Sequence, residues 1–195
     1  MSSSTPRPRA LAEEIAPRFD ASPEARALLA PGLAAPDYVA VLVERGLYSD
    51  AAGFVGQWLG KRDAVTWACL ASRGALAEAA PPKERAALEA AERWLKEGDE
   101  ASRRACAAAA ESLSYGSAPA MAAAAAAWSG GSLAPPELPP VPPAESLTGK
   151  GAAGSVLMAG AAGAPDVGGR LRELIGLGVE LAEGRRAPAG RRGEG

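Results

Sequence analysis

Apolar positions along the chain recur one helical turn apart, and glycines or prolines punctuate them. Leu11 and Ile15 are so spaced in "RALAEEIAPRF", a short amphipathic piece. "SPEARALLAPG" predicts a second short helix, with Ser22 as N-cap, Pro23 in its first turn and Gly32 beyond its end. "PDYVAVLVERG" has a strand-like run of valines. Yet Tyr38, Val41 or Leu42, and Arg45 share a helical face, and Gly46 is a natural stop, so the segment reads as helix. "YSDAAGFVGQWLG" carries a Phe54, Trp58 and Leu59 stripe, with Ser49 as its expected cap. "KRDAVTWACLASRG" gathers Ala64, Trp67, Ala68 and Ala71 on one side and is expected to end at its glycine. The alternation of helix and glycine from Tyr38 to Arg73 predicts antiparallel neighbours. No period is sustained over three units, so an irregular bundle is expected rather than a solenoid.

"PPKERAALEAAERWLKEG" predicts a helix that buries Leu88, Ala91 and Trp94 or Leu95. Glu89 with Arg93, and Glu92 with Lys96, stand four apart on its wet side. "DEASRRACAAAAESLSYG" opens on Asp99 as cap and buries Cys106, Ala110 and Leu113, and "SAPAMAAAAAAW" is a helix small on every side. Ser129, Gly130 and Gly131 end it, and the prolines beyond forbid a restart. Leu133 through Pro143 in polyproline II, at about 3.1 Å per residue, would span roughly 34 Å. That is the length of a helix of about 22 residues. A strap is therefore expected to run back along the bundle, held down by Leu133, Leu138 and Val141.

Two further helices follow, one from near Thr148 and one with Val167, Leu171, Leu174 and Leu181 on one side and Gly184 at its end. Gly176 and Gly178 weaken the latter by up to about 1 kcal/mol each relative to alanine, and close approach to a neighbour is their expected benefit. The pattern thus predicts an all-α fold: an irregular bundle of about eight helices forming one domain over 10–184. A Gly/Pro-rich extended strap over 129–147 precedes the last two helices. Residues 1–9 and the basic tail 185–195 are expected to be disordered.

Composition sharpens this. Alanine supplies about a quarter of the chain and aromatic residues only 5%. Alanine loses no side-chain entropy on folding but buries little area, so the tryptophans at 58, 67, 94 and 128 are the expected fillers. Histidine is absent, which removes the commonest general base and the commonest metal ligand together. The formal charge of -2 is spread over interleaved acids and bases, which argues against a nucleic-acid partner. The start has no apolar leader core, and the uncharged run from Gly151 to Pro165 is shorter than the 17 or so residues a spanning helix needs. A cytoplasmic protein without membrane contact is expected. Cys69 and Cys106 are too few for a disulfide framework and read as small buried residues.

Two motifs compete with packing. Gly149, Gly151 and Gly154 spell the dinucleotide fingerprint, but "VPPAESLT" before them is no strand, so helix packing is the favoured reading. "PPELPPVPP" has P-x-x-P spacing suited to an SH3-like groove, although strapping within the molecule is more economical. No catalytic, cofactor-binding or metal-ligating set emerges, and no cofactor is expected.

The phrases "GLYSDAAGFVGQWLGKRDAVTWAC", "AAERWL", "WSGGSLAPPELPPVPP" with "LTGKGAAGSVLMAG", and "RLRELIGLGVELAEG" resemble an uncharacterised bacterial protein family. The similarity spans roughly 37–184. It implies a small all-helical cytoplasmic protein without an established active site, and some members are associated with type VI secretion gene clusters. Together these readings predict a non-enzymatic module that binds a protein partner, an accessory or adaptor. Its candidate contact patch lies beside the strap at Trp128, Gly130, Gly131, Pro135 and Pro136. The competing expectations are an enzyme or small-molecule binder with its site under the strap, and a self-assembling structural subunit.

Overall fold

The structure is a computed structural model and describes residues 10–135 and 137–186. Residues 1–9 and 187–195, expected above to be disordered, lie outside the described residues, as does Pro136 of the candidate patch. Arg185 and Arg186, also assigned to the tail, are described and pair with Glu183 and Glu180.

All regular structure among the described residues is helical, apart from an isolated antiparallel bridge between Leu11 and Ala34. The helices are α1 (Ala12–Ile15), continued by a 3-10 turn (Ala16–Arg18), α2 (Pro23–Ala27), α3 (Ala35–Glu44), α4 (Tyr48–Trp58), α5 (Lys61–Ala75), α6 (Pro82–Glu97), α7 (Glu100–Ser112), α8 (Ala118–Ala127), α9 (Leu147–Ala161) and α10 (Val167–Ala182). The count exceeds eight because α1 and α2 are single turns of 4 and 5 residues.

Local chemistry sets most boundaries. The Ser22 hydroxyl accepts from the Ala25 amide at 3.0 Å, and Asp99 Oδ1 accepts from Ser102 at 2.8 Å, as N-caps do. Ser49 is not a cap. The Leu47 amide bonds back to Leu42 at 2.9 Å, so the chain re-enters helix at once and Ser49 falls inside the first turn of α4. Nor does glycine end α5, which runs through Gly74 to Ala75. Glu92 turns away from Lys96 to meet Arg73 of α5, whose fork holds both carboxylate oxygens at 2.7 and 2.6 Å.

The alanine helix α8 lies at the centre and packs against α5, α6, α7 and α9. Every residue of it except Met121 is buried. Methyl groups let these neighbours come close, while bulk is supplied by the fully buried Trp67, Tyr38, Phe54 and Leu42. Of the four tryptophans, Trp67 and Trp94 are buried, whereas Trp58 and Trp128 are half-buried. Trp67 Nε1 donates to the Leu174 carbonyl at 2.7 Å, tying α5 to α10. The hydroxyls of Ser72 and Ser155 meet at 2.9 Å, and Ser155 reaches the Ala118 carbonyl at 2.8 Å, so α5, α9 and the start of α8 share one buried polar knot.

The fingerprint glycines belong to this packing. A Cβ on Gly149 would strike the Gly56 backbone of α4, and one on Gly151 would stand 3.1 Å from Ala125 of α8. Helix α9 is pressed between the two by its missing side chains.

Candidate functional site: the strap and its arginine base

Helix α8 ends at Trp128, and its last carbonyls need partners. Three side chains supply them. Ser129 Oγ donates to Ala126 at 2.7 Å, Arg103 Nη1 to Ala127 at 2.6 Å, and Thr148 Oγ1 to Trp128 at 3.0 Å. Arg103 comes from α7, yet it is only 5% exposed. Glu100 holds its Nε and Nη2 at 2.6 and 2.7 Å, a bidentate pair that lowers the Glu100 carboxyl below its ordinary range. The same Nη2 donates to the Ser132 carbonyl at 3.1 Å. One guanidinium thus binds the end of α8 to the start of the strap.

This arrangement explains the "WSGGS" turn. Gly131 has φ +64°, and a Cβ there would lie 2.7 Å from Arg103 Nε. The chain needs glycine both to turn and to pass the arginine. Gly130 has nothing within 4 Å of such a Cβ, so packing places no demand on it.

The strap does not run 34 Å along the bundle. The Leu133 amide donates to the Val141 carbonyl at 2.8 Å, which brings the two ends of the segment together. Ser132 Oγ accepts from the amides of Ala134 and Val141, both at 3.0 Å. The segment is a closed loop standing on a polar base. Leu133, Leu138 and Val141, expected to hold it down, are instead 46%, 55% and 51% exposed.

Beneath the loop lies a cleft of about 490 Å³ between α7, the end of α8 and the strap. Tyr115 and Trp128 form one wall, stacked at 5.8 Å between centroids with 26° between planes. Tyr115 reaches that position through two successive residues in the left-handed region, Ser114 at φ 48° and Tyr115 at φ 57°. Burial and then the Glu111 carboxylate raise the Tyr115 phenol above its usual value. Arg104 lines the same cleft and pairs with Glu100 at 2.8 Å.

The candidate patch is thus only partly one surface. Trp128 and Pro135 line the cleft, Gly131 rests on Arg103, Gly130 stands apart, and Pro136 lies outside the described residues. Sequence reading missed Arg103, Tyr115 and Ser132. Arg103 was detectable, because it shares the helical face of Cys106 and Ala110, both fully buried.

Cys69 and Cys106 are both buried as free thiols, and burial pushes Cys106 up to about 12 and Cys69 higher still. Among the described residues no group of three or more Cys, Asp or Glu side chains is placed to hold a metal ion, and no helix is long and apolar enough to cross a membrane.

Fold and site together define an all-α protein built round an alanine helix, with a proline-rich loop held out from that helix's end. The chain belongs to a family of unknown function, DUF6931, whose model matches residues 38–182, from α3 through α10 with the strap included. No curated protein and no solved structure matches the chain.

Proposed function

We propose that the chain is a non-enzymatic protein-interaction module that presents its strap loop to a partner protein. The observation that carries this reading is the exposure of Leu133, Leu138 and Val141 on a loop whose base is fixed by Arg103 and Ser132. Apolar side chains on a preorganised loop lose little entropy on docking, and this favours binding. On the same reading the module is cytoplasmic, and its sequence resemblance supports service to a bacterial secretion apparatus of the type VI kind. A pull-down from the native host, read by quantitative mass spectrometry, tests it. Wild type should retain a specific protein that Leu138→Asp/Val141→Asp loses at unchanged melting temperature. If wild type brings down only itself, the reading fails.

A second reading, a small-molecule site, has the cleft in its favour: about 490 Å³ is a usual size for a ligand pocket, and Arg104, Tyr115 and Trp128 offer it polar and aromatic contacts. A thermal-shift ligand screen with Tyr115→Ala as control separates it from the first.

A further inference from the structure

The interaction reading leaves the partner's chemistry open, and the strap itself narrows it. Residues 138–142 read Leu-Pro-Pro-Val-Pro. Proline fixes φ near about −65° and drives the residue before it out of the helical region. Leu138, Pro139, Val141 and Pro142 each precede a proline, so the backbone is driven to polyproline II. The segment starts from a bend at Leu138, whose amide donates to the Pro135 carbonyl at 3.1 Å, and no turn or bend interrupts 139–144 beyond it.

Polyproline II has about three residues per turn. Leu138 and Val141 therefore fall on one edge, and Pro139 and Pro142 beside them, forming two aliphatic-proline ridges one turn apart. Residues 137–142 are all exposed. Among the described residues no hydrogen bond uses the carbonyls of Leu138, Pro139 or Pro140, which stay available as acceptors. The bonds that Leu133 and Ser132 make to Val141 hold the base of the loop, so its ordering cost is met before any partner arrives.

We propose that residues 138–142 are a recognition segment for a partner domain whose aromatic-lined groove reads polyproline II ridges. Each ridge seats between aromatic rings, and donors along the groove engage the free carbonyls. Glu137 stands exposed next to the first ridge, so a basic side chain flanks the groove. This inference rests on the interaction reading and is tested so that the two can fail separately.

The full chain is immobilised as bait in three forms: wild type, Pro139→Ala/Pro142→Ala and Leu138→Asp/Val141→Asp. Captured protein is eluted with a synthetic peptide of residues 135–144, or with the same peptide carrying the two alanines. The expected result is a partner held by wild type, weakened about ten-fold or more by the alanine bait, and released by the native peptide only. The purified partner should then change its intrinsic tryptophan or tyrosine fluorescence on addition of the native peptide. A partner that is lost with the aspartate bait, but holds the alanine bait equally well and resists both peptides, overturns the polyproline inference and leaves the interaction reading standing. Capture of nothing, or of a second copy of the chain alone, overturns both.

Discussion

Arg103 donates from Nη1 to the carbonyl of Ala127 at 2.6 Å, so a cation carried by one helix closes the end of the alanine helix beside it. The same side chain holds Ser132 at 3.1 Å, and the loop inherits its position from that grip.

Replacing Arg103 tests that grip. Arg103→Met keeps the apolar stem but orphans the carbonyls of Ala127 and Ser132, each costing on the order of 1 kcal/mol or more. A loss of about 2–4 kcal/mol in urea unfolding is expected, together with faster amide exchange at Leu133 and Val141. Arg103→Lys should fall between, because an ammonium cannot hold Glu100 with a fork. A methionine variant as stable as wild type would show that the arginine is incidental to the strap.

Acid should weaken the same joint. The Glu100 carboxyl is held below its ordinary range, chiefly by its hydrogen bond to Arg103. A depressed folded value means that the unfolded chain binds the proton first. The contribution of Glu100 is therefore fully present above the ordinary carboxylate range, near about pH 4.3, and is lost as pH falls through its lower folded value. Glu100→Gln should be less stable than wild type at neutral pH, and the gap should close in acid. Unfolding free energies across that window check this, and a gap that stays constant would rule it out.

The thiols give a probe of opening. Both Cys69 and Cys106 are buried, and burial keeps them protonated at pH 8. A thiol reagent should leave the native chain unlabelled over minutes and label both residues in denaturant. Fast labelling of the folded chain would show that α5 and α7 open locally.

How much of this was legible follows from the range of the signals. Ser22 and Asp99 announce their helices because a cap acts within three residues. The burial of α8 was readable too, since a helix without a polar face has nothing to show to water. The course of the strap was not. Its composition dictates an extended backbone locally, but its closure depends on Ser132 reaching Val141 nine positions away, a pairing with no local signature. The charged Arg103 in an alanine helix reads as a solvated residue until Cys106 and Ala110 are seen to share its face.

Gly176 and Gly178 supply the sharpest test of packing, because one expectation covered both and the structure separates them. Around Gly176 a Cβ would find nothing within 4 Å, whereas on Gly178 it would stand 2.8 Å from Trp67 Cε2 and press on Val55. Gly176→Ala should therefore yield only the helix-propensity gain, about 1 kcal/mol, and raise the melting temperature by roughly 2–4 °C. Gly178→Ala gains the same propensity but must displace Trp67, whose indole nitrogen is committed to Leu174. Overpacking of that kind costs about 1–3 kcal/mol, enough to cancel or reverse the gain. The two alanines, two positions apart on one helix, should therefore part: Gly176→Ala raises the melting temperature, and Gly178→Ala leaves it unchanged or lowers it. If both raised it equally, the close approach of α10 to α5 would be wrong, because propensity alone would then account for both glycines.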